Sequence, residues 1–556
     1  MADTVPPERT DGPAFPDRPP ASSDRPPAFP AEPAFPGGPA FPGRPPAFPG
    51  RPPAFPDRPA SPGGRVEFGP GVLPADSRFV NDDLLPVPVA GRRWTTYNFA
   101  ALWVGMAHNI PSWMLASGLV ALGMDWRQAV LTIALANVLV LLPMLLTGHA
   151  GPKYGIPFPV LARASFGLRG ANLPALVRAG VACAWFGIQT WIGGQGVFIL
   201  LDKAFGGGWA NAEVIGGEPW TLWLCFVLFW GLELAVIHQG MEALRRFENW
   251  AAPFVIVGAL VLLAWVAVKA GGLGPLLGQP SRLGWGADFW PVFFPALMGM
   301  IAFWATLSLN IPDFTRFGAG QRSQALGQAL GLPTTMTLFA LLSVLVTSGS
   351  QAVYGAPVWD PVALAARTDN VFGLVFALVT VLVATLSVNL AANVVSPAYD
   401  LAHLAPRLIG FRTGALITGV VGVLIMPWKL TATPELYIFT WLGLVGGLLG
   451  TVAGILIADY WLVRRTVLDL EGLYRADGPY WYRGGWNPVA VLAFLAGGVL
   501  AVGGSHSAPG TGPFPEDGLI PFLKPLADYG WAVGMAASLL LYTLLMRRAP
   551  HARGPR

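Results

Sequence analysis

From Trp94 onward, apolar residues run in unbroken blocks separated by short polar interruptions. Each block is long enough, at about 17 to 25 residues, to cross a bilayer as a helix. Twelve spans are predicted, at 96–122, 128–147, 174–201, 220–240, 249–270, 290–311, 331–350, 371–395, 411–428, 435–461, 488–504 and 529–546. Lys and Arg gather in the loops that follow the even-numbered spans, among them Lys153, Arg163, Arg169, Arg178, Arg245, Arg246, Arg316, Arg464 and Arg465. Basic loops are retained on the cytoplasmic side, so both termini are expected in the cytoplasm of a cell carrying this chain in its plasma or inner membrane. Arg92 and Arg93 before the first span, and Arg547 and Arg548 after the last, agree with that orientation.

Ahead of the spans the pattern changes. Arg44–Pro49 recurs as Arg51–Pro56 within a stretch dominated by proline, which favours polyproline II over helix or sheet. Residues 1–80 are therefore expected to form a disordered cytoplasmic tail; docking of proline-reading domains is a sharper reading of the same repeat. It contains no apolar core of the signal-peptide kind. The remainder divides into 81–270 and 271–465, two five-helix repeats, and 466–556, with accessory helices eleven and twelve.

Composition supports the spans: 53% of the 556 residues are hydrophobic and 12% charged, about half the charged fraction of an average soluble domain. The net charge of +4 then reflects membrane topology, not nucleic-acid binding. Cys183 and Cys225 fall inside spans and read as packing residues. No CxxC, GxxxxGK[ST] or HExxH motif is present, so neither ATP-driven transport nor metal hydrolysis finds support. The energy for moving a solute then comes from an ion gradient or from the solute's own.

Trp185 and Gln189 lie four apart in span three and share one face of a helix. An indole supplies a stacking surface and a carboxamide both donates and accepts, a pairing suited to a small planar molecule with amide edges. Two spans carry helix-disrupting residues. The first holds Gly105, His108, Asn109 and Pro111, and the sixth holds Pro295 and Gly299 before Phe303-Trp304, then closes on Asn310-Ile311-Pro312-Asp313. Matching breaks at positions one and six predict an inverted repeat of five plus five helices with solute and ion held between the broken pair. Span eight contributes Thr385, Ser387, Asn389 and Asn393; Ser387 has its own helix backbone as an alternative partner, whereas the two carboxamides share one face and suggest a solute contact.

These segments resemble the nucleobase:cation symporter-1 family of allantoin, hydantoin, uracil and cytosine permeases. The residues that carry the resemblance are Trp103–Pro111, Gly151–Gly167, Trp185–Trp191, Phe303-Trp304 with Asn310–Arg316, Asn389–Tyr399 and Asp459–Arg465. The resemblance implies an all-α polytopic membrane protein with a LeuT-type 5+5 inverted repeat, discontinuous helices 1 and 6, and two accessory C-terminal helices. It implies that Trp185 and Trp304 sandwich the solute ring, that Gln189 and Asn393 pair with its amides, and that Asn109 lines the same pocket. Phe303 stands where the hydantoin transporter has glycine, narrowing that side. The family's sodium site falls on the Gly105, His108 and Ala384 carbonyls and the Ser387 hydroxyl, while its fifth ligand position falls on Val388, which has no oxygen to offer.

The wording of the first motif and of the Gly151–Gly170 loop places allantoin or a related hydantoin first as the imported solute, and uracil or another nucleobase second. The coupling ion is Na+ or H+. For proton coupling, His108, Glu233 and His238 are the titratable groups within spans, each with a plainer structural reading: Glu233 as partner of a donor inside the bundle, His238 as a cap. Asp313 and Arg316 read as a local ion pair just beyond span six. A receptor that binds the ring without moving it is the remote alternative, and no nucleophile and base are spaced for an enzyme.

Overall fold

Every predicted apolar block is a helix in the computed structural model, which describes residues 64–68, 78–239, 241–368, 370–507 and 512–548. In chain order the helices are α1 (Thr96–Ala107), α2 (Ile110–Ala121), α3 (Trp126–Gly148), α4 (Ala150–Tyr154), α5 (Phe158–Phe166), α6 (Asn172–Ala204), α7 (Trp220–Gln239), α8 (Met241–Lys269), α9 (Leu273–Leu277), α10 (Trp290–Asn310), α11 (Pro312–Thr315) and α12 (Gln321–Tyr354). They continue with α13 (Pro361–Ala366), α14 (Val371–Asn393), α15 (Val395–Leu404), α16 (Phe411–Leu424), α17 (Pro427–Leu430), α18 (Leu442–Ile457), α19 (Pro488–Val502), α20 (Lys524–Ala527) and α21 (Gly530–Arg548). Among the described residues, eight helical stretches are long and apolar enough to cross a membrane. Shorter apolar helices, among them Ile110–Ala121 and Phe411–Leu424, account for the remaining predicted spans.

The packing sorts eight of the first ten spans into two interlocked groups. Spans one, two, six and seven form one, with α1 and α2 on α12, α3 on both α10 and α12. Spans three, four, eight and nine form the other, centred on α6, against which α7, α14, α15 and α16 all pack. Members of each group recur five spans apart, which is the packing signature of the inverted repeat. Span ten, α18 with a π-helical turn on either side at Leu436–Trp441 and Ala458–Val463, lies on α10 and carries α19 and α21 on its other face.

Close helix approach in the second group depends on small residues. A side chain on Gly187 of α6 would collide with the Gly422 carbonyl oxygen of α16, and one on Gly422 would lie 2.7 Å from the Cys183 carbonyl. Without a hydrophobic drive between helices in lipid, such backbone contact is what association relies on. Gly187 sits between Trp185 and Gln189, so this crossing also fixes the height of the stacking residues.

The break in span one is where the polar residues predicted it, at His108 and Asn109 between α1 and α2. Span six differs in detail. α10 runs unbroken through Pro295 and Gly299, and the interruption comes at Ile311, ahead of Pro312. Pro295 lies in the second turn, where the missing N–H costs a single bond. Gly299 serves close packing, since a Cβ there would stand 2.9 Å from the Ile438 carbonyl of span ten. Span eight carries an interruption that the sequence did not announce, at Val394 between α14 and α15.

The proline-rich repeats of the tail lie outside the described residues, but the boundary at residue 80 is corrected. Val66 donates its amide to the Lys153 carbonyl (2.7 Å), Phe68 packs edge-on against Tyr474, and Phe79 against Trp481. Buried Arg92 ties this segment to α4 by donating to the carbonyls of Val66, Val87, Pro152 and Lys153 at 2.8 to 3.1 Å. Burial lowers its pKa to about 10, which leaves it charged at neutral pH. Cys183 and Cys225 are buried free thiols, consistent with packing roles.

Replacing Gly187 by Ala is expected to wedge α6 from α16 and to cost about 1 to 3 kcal/mol of stability. A lowered melting temperature of the purified protein in detergent, larger than for Gly180→Ala on the open face of the same helix, is the measurement that checks it.

Candidate functional site

The two groups of spans meet at a cavity of about 40 Å³. One wall comes from the first group, with Met106, Asn109 and Pro111 at the span-one break and Phe303, Trp304, Thr306 and Leu307 on α10. The other comes from the second, with Arg178, Ala182, Trp185 and Gln189 on α6 and Val388, Ala392 and Asn393 on α14. The six residues expected around the solute, Asn109, Trp185, Gln189, Phe303, Trp304 and Asn393, are thus brought together. Sequence reasoning missed Arg178, which it counted as a loop residue. The signal was present: 178, 182, 185 and 189 follow the helical period of one α6 face.

The aromatic groups are not an open sandwich. The Phe303 ring is edge-on to Trp185 (centroids 5.1 Å apart, 75°) and to Trp304 (5.0 Å, 88°), so it bridges the two indoles. Trp304 in turn meets Trp103 at 5.1 Å and 85°. These are favourable edge-to-face contacts, and they hold the cavity far below the roughly 300 Å³ of an ordinary small-molecule pocket. A larger cavity, of about 510 Å³, opens farther along α6 and α2, away from the end where the described chain starts and finishes, and is lined among others by Met114, Trp191, Gln195, Trp359 and Trp428.

Three buried polar atoms of the cavity residues have no hydrogen-bond partner among the described residues: Gln189 Oε1, an acceptor, and Trp304 Nε1 and Arg178 Nε, both donors. Buried groups of this kind are rare in folded proteins and call for a ligand or a water. Asn109 differs. Its Nδ2 donates to the Met106 carbonyl (2.6 Å) and its Oδ1 accepts from the Ser112 amide (2.7 Å), so its carboxamide staples the end of α1 to the start of α2. It lines the cavity, yet its hydrogen-bonding capacity is largely spent on the break.

The second carboxamide set forms a chain. Asn393 Nδ2 donates to Asn389 Oδ1 (2.9 Å), and Asn389 Nδ2 donates to Glu233 Oε1 (2.8 Å) and to the Phe186 carbonyl (3.1 Å). Glu233 Oε2 accepts from the Thr190 hydroxyl at 2.6 Å. Glu233, wholly buried, therefore does pair with donors inside the bundle. His238 is exposed near the end of α7.

Of the residues expected at the ion, His108 is non-helical (φ −86°, ψ 69°), which takes its carbonyl out of the helical ladder. Its ring bonds the Val104 carbonyl and packs on Phe339. Gly105 precedes it on α1, and α1 packs against α14, which carries Ala384, Ser387 and Val388. Carbonyl and hydroxyl oxygens are the donors a hard cation takes, but Val388 lines the cavity with an alkyl group and leaves the set one oxygen short. The expected Asp313–Arg316 ion pair is corrected: Asp313 is buried and accepts from the Phe158 amide (2.8 Å) and the Ser396 hydroxyl (2.7 Å), while Arg316 donates to the Asp83 carbonyl (3.0 Å). Burial in the cleft between α5, α10 and α15 draws the carboxylate inward, to neutral donors.

Two four-span groups with a broken helix and a polar cavity between them define a polytopic membrane permease of the inverted-repeat class. The chain belongs to the family described as permease for cytosine/purines, uracil, thiamine, allantoin, whose model matches residues 86–534. It is 43% identical over 484 residues to the allantoin permease of Bacillus subtilis (86% of this chain, 95% of that protein) and 40% identical over 436 residues to the purine-uracil permease NCS1 of Arabidopsis thaliana (77% and 72%). The fold is similar to that of Mhp1, a nucleobase-cation-symport-1 family transporter, with a TM-score of 0.69 to its inward-facing conformation at 26% identity, over 84% of this chain and 94% of that one.

Replacing Asn109 by Ala removes the staple across the break and is expected to cost about 1 to 2 kcal/mol. Ser, which keeps the oxygen that caps α2, should recover part of that loss; thermal melts of the two variants make the comparison.

Proposed function

We propose that the chain imports a small planar ring with amide edges, of the allantoin or hydantoin type, by alternating access coupled to a cation. The observation that carries this reading is the set of partnerless atoms in an aromatic cavity, Gln189 Oε1 with Trp304 Nε1 and Arg178 Nε, beside Trp185 and Phe303. A ureide offers N–H and C=O groups at neighbouring ring positions, and so can answer a free acceptor and free donors together. The 43% identity to an allantoin permease supports the solute. A flat nucleobase such as uracil is the second reading, favoured by Phe303: a slot this thin between indoles suits a ring with no tetrahedral carbon. Two further features belong to the same proposal. The protein resides in the cell membrane with both termini in the cytoplasm, as the basic loops after even spans indicate. The coupling cation is Na+ or H+, and the oxygen missing at Val388 weighs against sodium.

Uptake of labelled allantoin, hydantoin and uracil into proteoliposomes, with sodium and proton gradients imposed separately, tests the reading. Accumulation of allantoin or hydantoin in preference to uracil supports the first solute class, and the reverse supports the second. Binding of any of them without accumulation would replace the transporter by a receptor.

Trp185→Ala and Trp304→Ala are each expected to weaken solute binding by about 1 to 3 kcal/mol, the worth of one stacking face. Phe303→Ala should shift preference toward rings with a bulky substituent. Equilibrium titration of the purified variants with substituted and unsubstituted hydantoins reads both effects, and unchanged affinity in both Trp variants rules out stacking.

A further inference from the structure

α7 shows much of its surface to the outside of the bundle but turns Glu233 fully inward, where among the described residues its carboxyl group meets only the Thr190 hydroxyl and the Asn389 amide. Both are neutral. α14, which supplies Asn389, has no ionisable side chain along its length. On α6 the charged residues nearest in sequence to Thr190 are Arg178 and Asp202, each about 18 Å along the helix at 1.5 Å per residue; Arg178 is paired with Asp400 at 3.4 Å, Cys183 lies between it and Thr190, and Lys203 follows Asp202 at the far end. α16 contributes Arg412 in its first turn, the β-strand Glu218–Pro219 contributes Glu218, α8 carries Glu242, Arg245, Arg246 and Glu248 near its start and Lys269 at its last residue, and α7 itself adds Cys225 and His238. None of these is hydrogen-bonded to Glu233 among the described residues. A carboxylate buried without a cation is expensive in a medium this apolar, and a leucine or glutamine would fill the place at less cost.

What the acid has instead is a line of contact to the solute cavity. Both hydrogens of Asn389 Nδ2 are committed, to Glu233 Oε1 and to the Phe186 carbonyl, so Asn389 Oδ1 faces Asn393 and takes one hydrogen of its amide. Asn393 is left with its own oxygen and one hydrogen for whatever occupies the cavity it lines. The polarity of each amide is thereby fixed by the one before it.

We propose that Glu233 is the binding site of a coupling proton and that Asn389 transmits its occupancy to Asn393 in the solute cavity. The proposal rests on the transport reading above. The proton comes from the solution on the side from which solute enters and leaves to the other side; an O–H bond forms and breaks at Glu233 Oε1, and nothing is oxidised or reduced. Once protonated, Oε1 donates. Asn389 turns its amide over to accept with Oδ1, its Nδ2 then faces Asn393, and Asn393 inverts in turn to present both amide hydrogens to a ring carbonyl. The Phe186 carbonyl that Asn389 releases takes the single proton of the Thr190 hydroxyl, 2.8 Å away, which in the ionised state goes to Glu233 Oε2. Because proton and solute act on one another through the same two amides, each raises the affinity for the other by the same factor.

The test uses the full chain with labelled allantoin, hydantoin and uracil, whichever the wild type carries. In proteoliposomes a proton gradient should drive accumulation of up to about ten-fold per pH unit at one proton per solute, and in detergent solute affinity should fall as pH rises through the ionisation of Glu233. E233Q should keep solute exchange across membranes without a gradient, lose gradient-driven accumulation and bind solute independently of pH. N389L, which leaves the acid in place, should lose the same pH dependence. Accumulation by E233Q under a proton gradient overturns the proposal, as does a wild type driven by sodium alone. Should neither variant fold, wild-type affinity decides: no change with pH is fatal to the idea. Failure of the wild type to accumulate any of the rings under either gradient would instead sink the transport reading.

Discussion

A chain that interrupts a helix inside a membrane must find partners for the backbone groups it frees, because no water is there to take them. At the break between α1 and α2 the partners are intrinsic. His108 bonds the Val104 carbonyl, the Asn109 amide bonds the Ala107 carbonyl at 3.0 Å, and the Asn109 carboxamide spans both helix ends. The hydroxyl of Tyr437, from the π-helical turn of span ten, reaches the Pro111 carbonyl at 3.2 Å and anchors the far side. The part of the cavity wall that span one supplies hangs on this local solution, since it sets where Met106, Asn109 and Pro111 stand.

The second group answers it as a rigid wall. Backbone contact between Gly187 and Gly422 holds α6 against α16, and α14 lies along α6 with Asn389 bonded to the Phe186 carbonyl. One face of α6 thereby presents Arg178, Trp185 and Gln189 at defined heights. Between the two walls Phe303 acts as an aromatic latch, edge-on to both indoles. The inner cavity is small, and the larger one begins at Trp191 and Ile192, farther along α6 than Gln189. In transporters built on an inverted repeat, alternating access moves one such group of helices against the other.

Polar side chains in the interior are used in two distinct ways. Asn109, Asp313 and Arg92 are consumed by the fold, satisfying backbone amides and carbonyls at breaks and loops. Gln189 and Trp304 keep atoms unpartnered, and Glu233 keeps neutral donors only. Residue type does not separate these uses; two asparagines on opposite walls, Asn109 and Asn393, fall on different sides of the division.

Hydrophobic block length fixed the number, order and approximate limits of the spans, because a helix in lipid must satisfy its own backbone over a set thickness, a constraint read along the chain. Four-residue spacing likewise put Trp185 with Gln189, and Asn389 with Asn393, on common faces. The break at His108–Asn109 was visible for the same local reason. What lay beyond the sequence depends on neighbours far away in it. Pro295 and Gly299 look like a break and are not one, since Gly299 answers to the Ile438 carbonyl of another span. Phe303 lines the cavity as its position suggests, but that it also bridges the two indoles was not legible in the sequence. That Glu233 ends a chain of amides leading to Asn393 was decided only when α6, α7 and α14 packed together, because hydrogen bonds between helices depend on distance and angle, and neither is written in the order of residues.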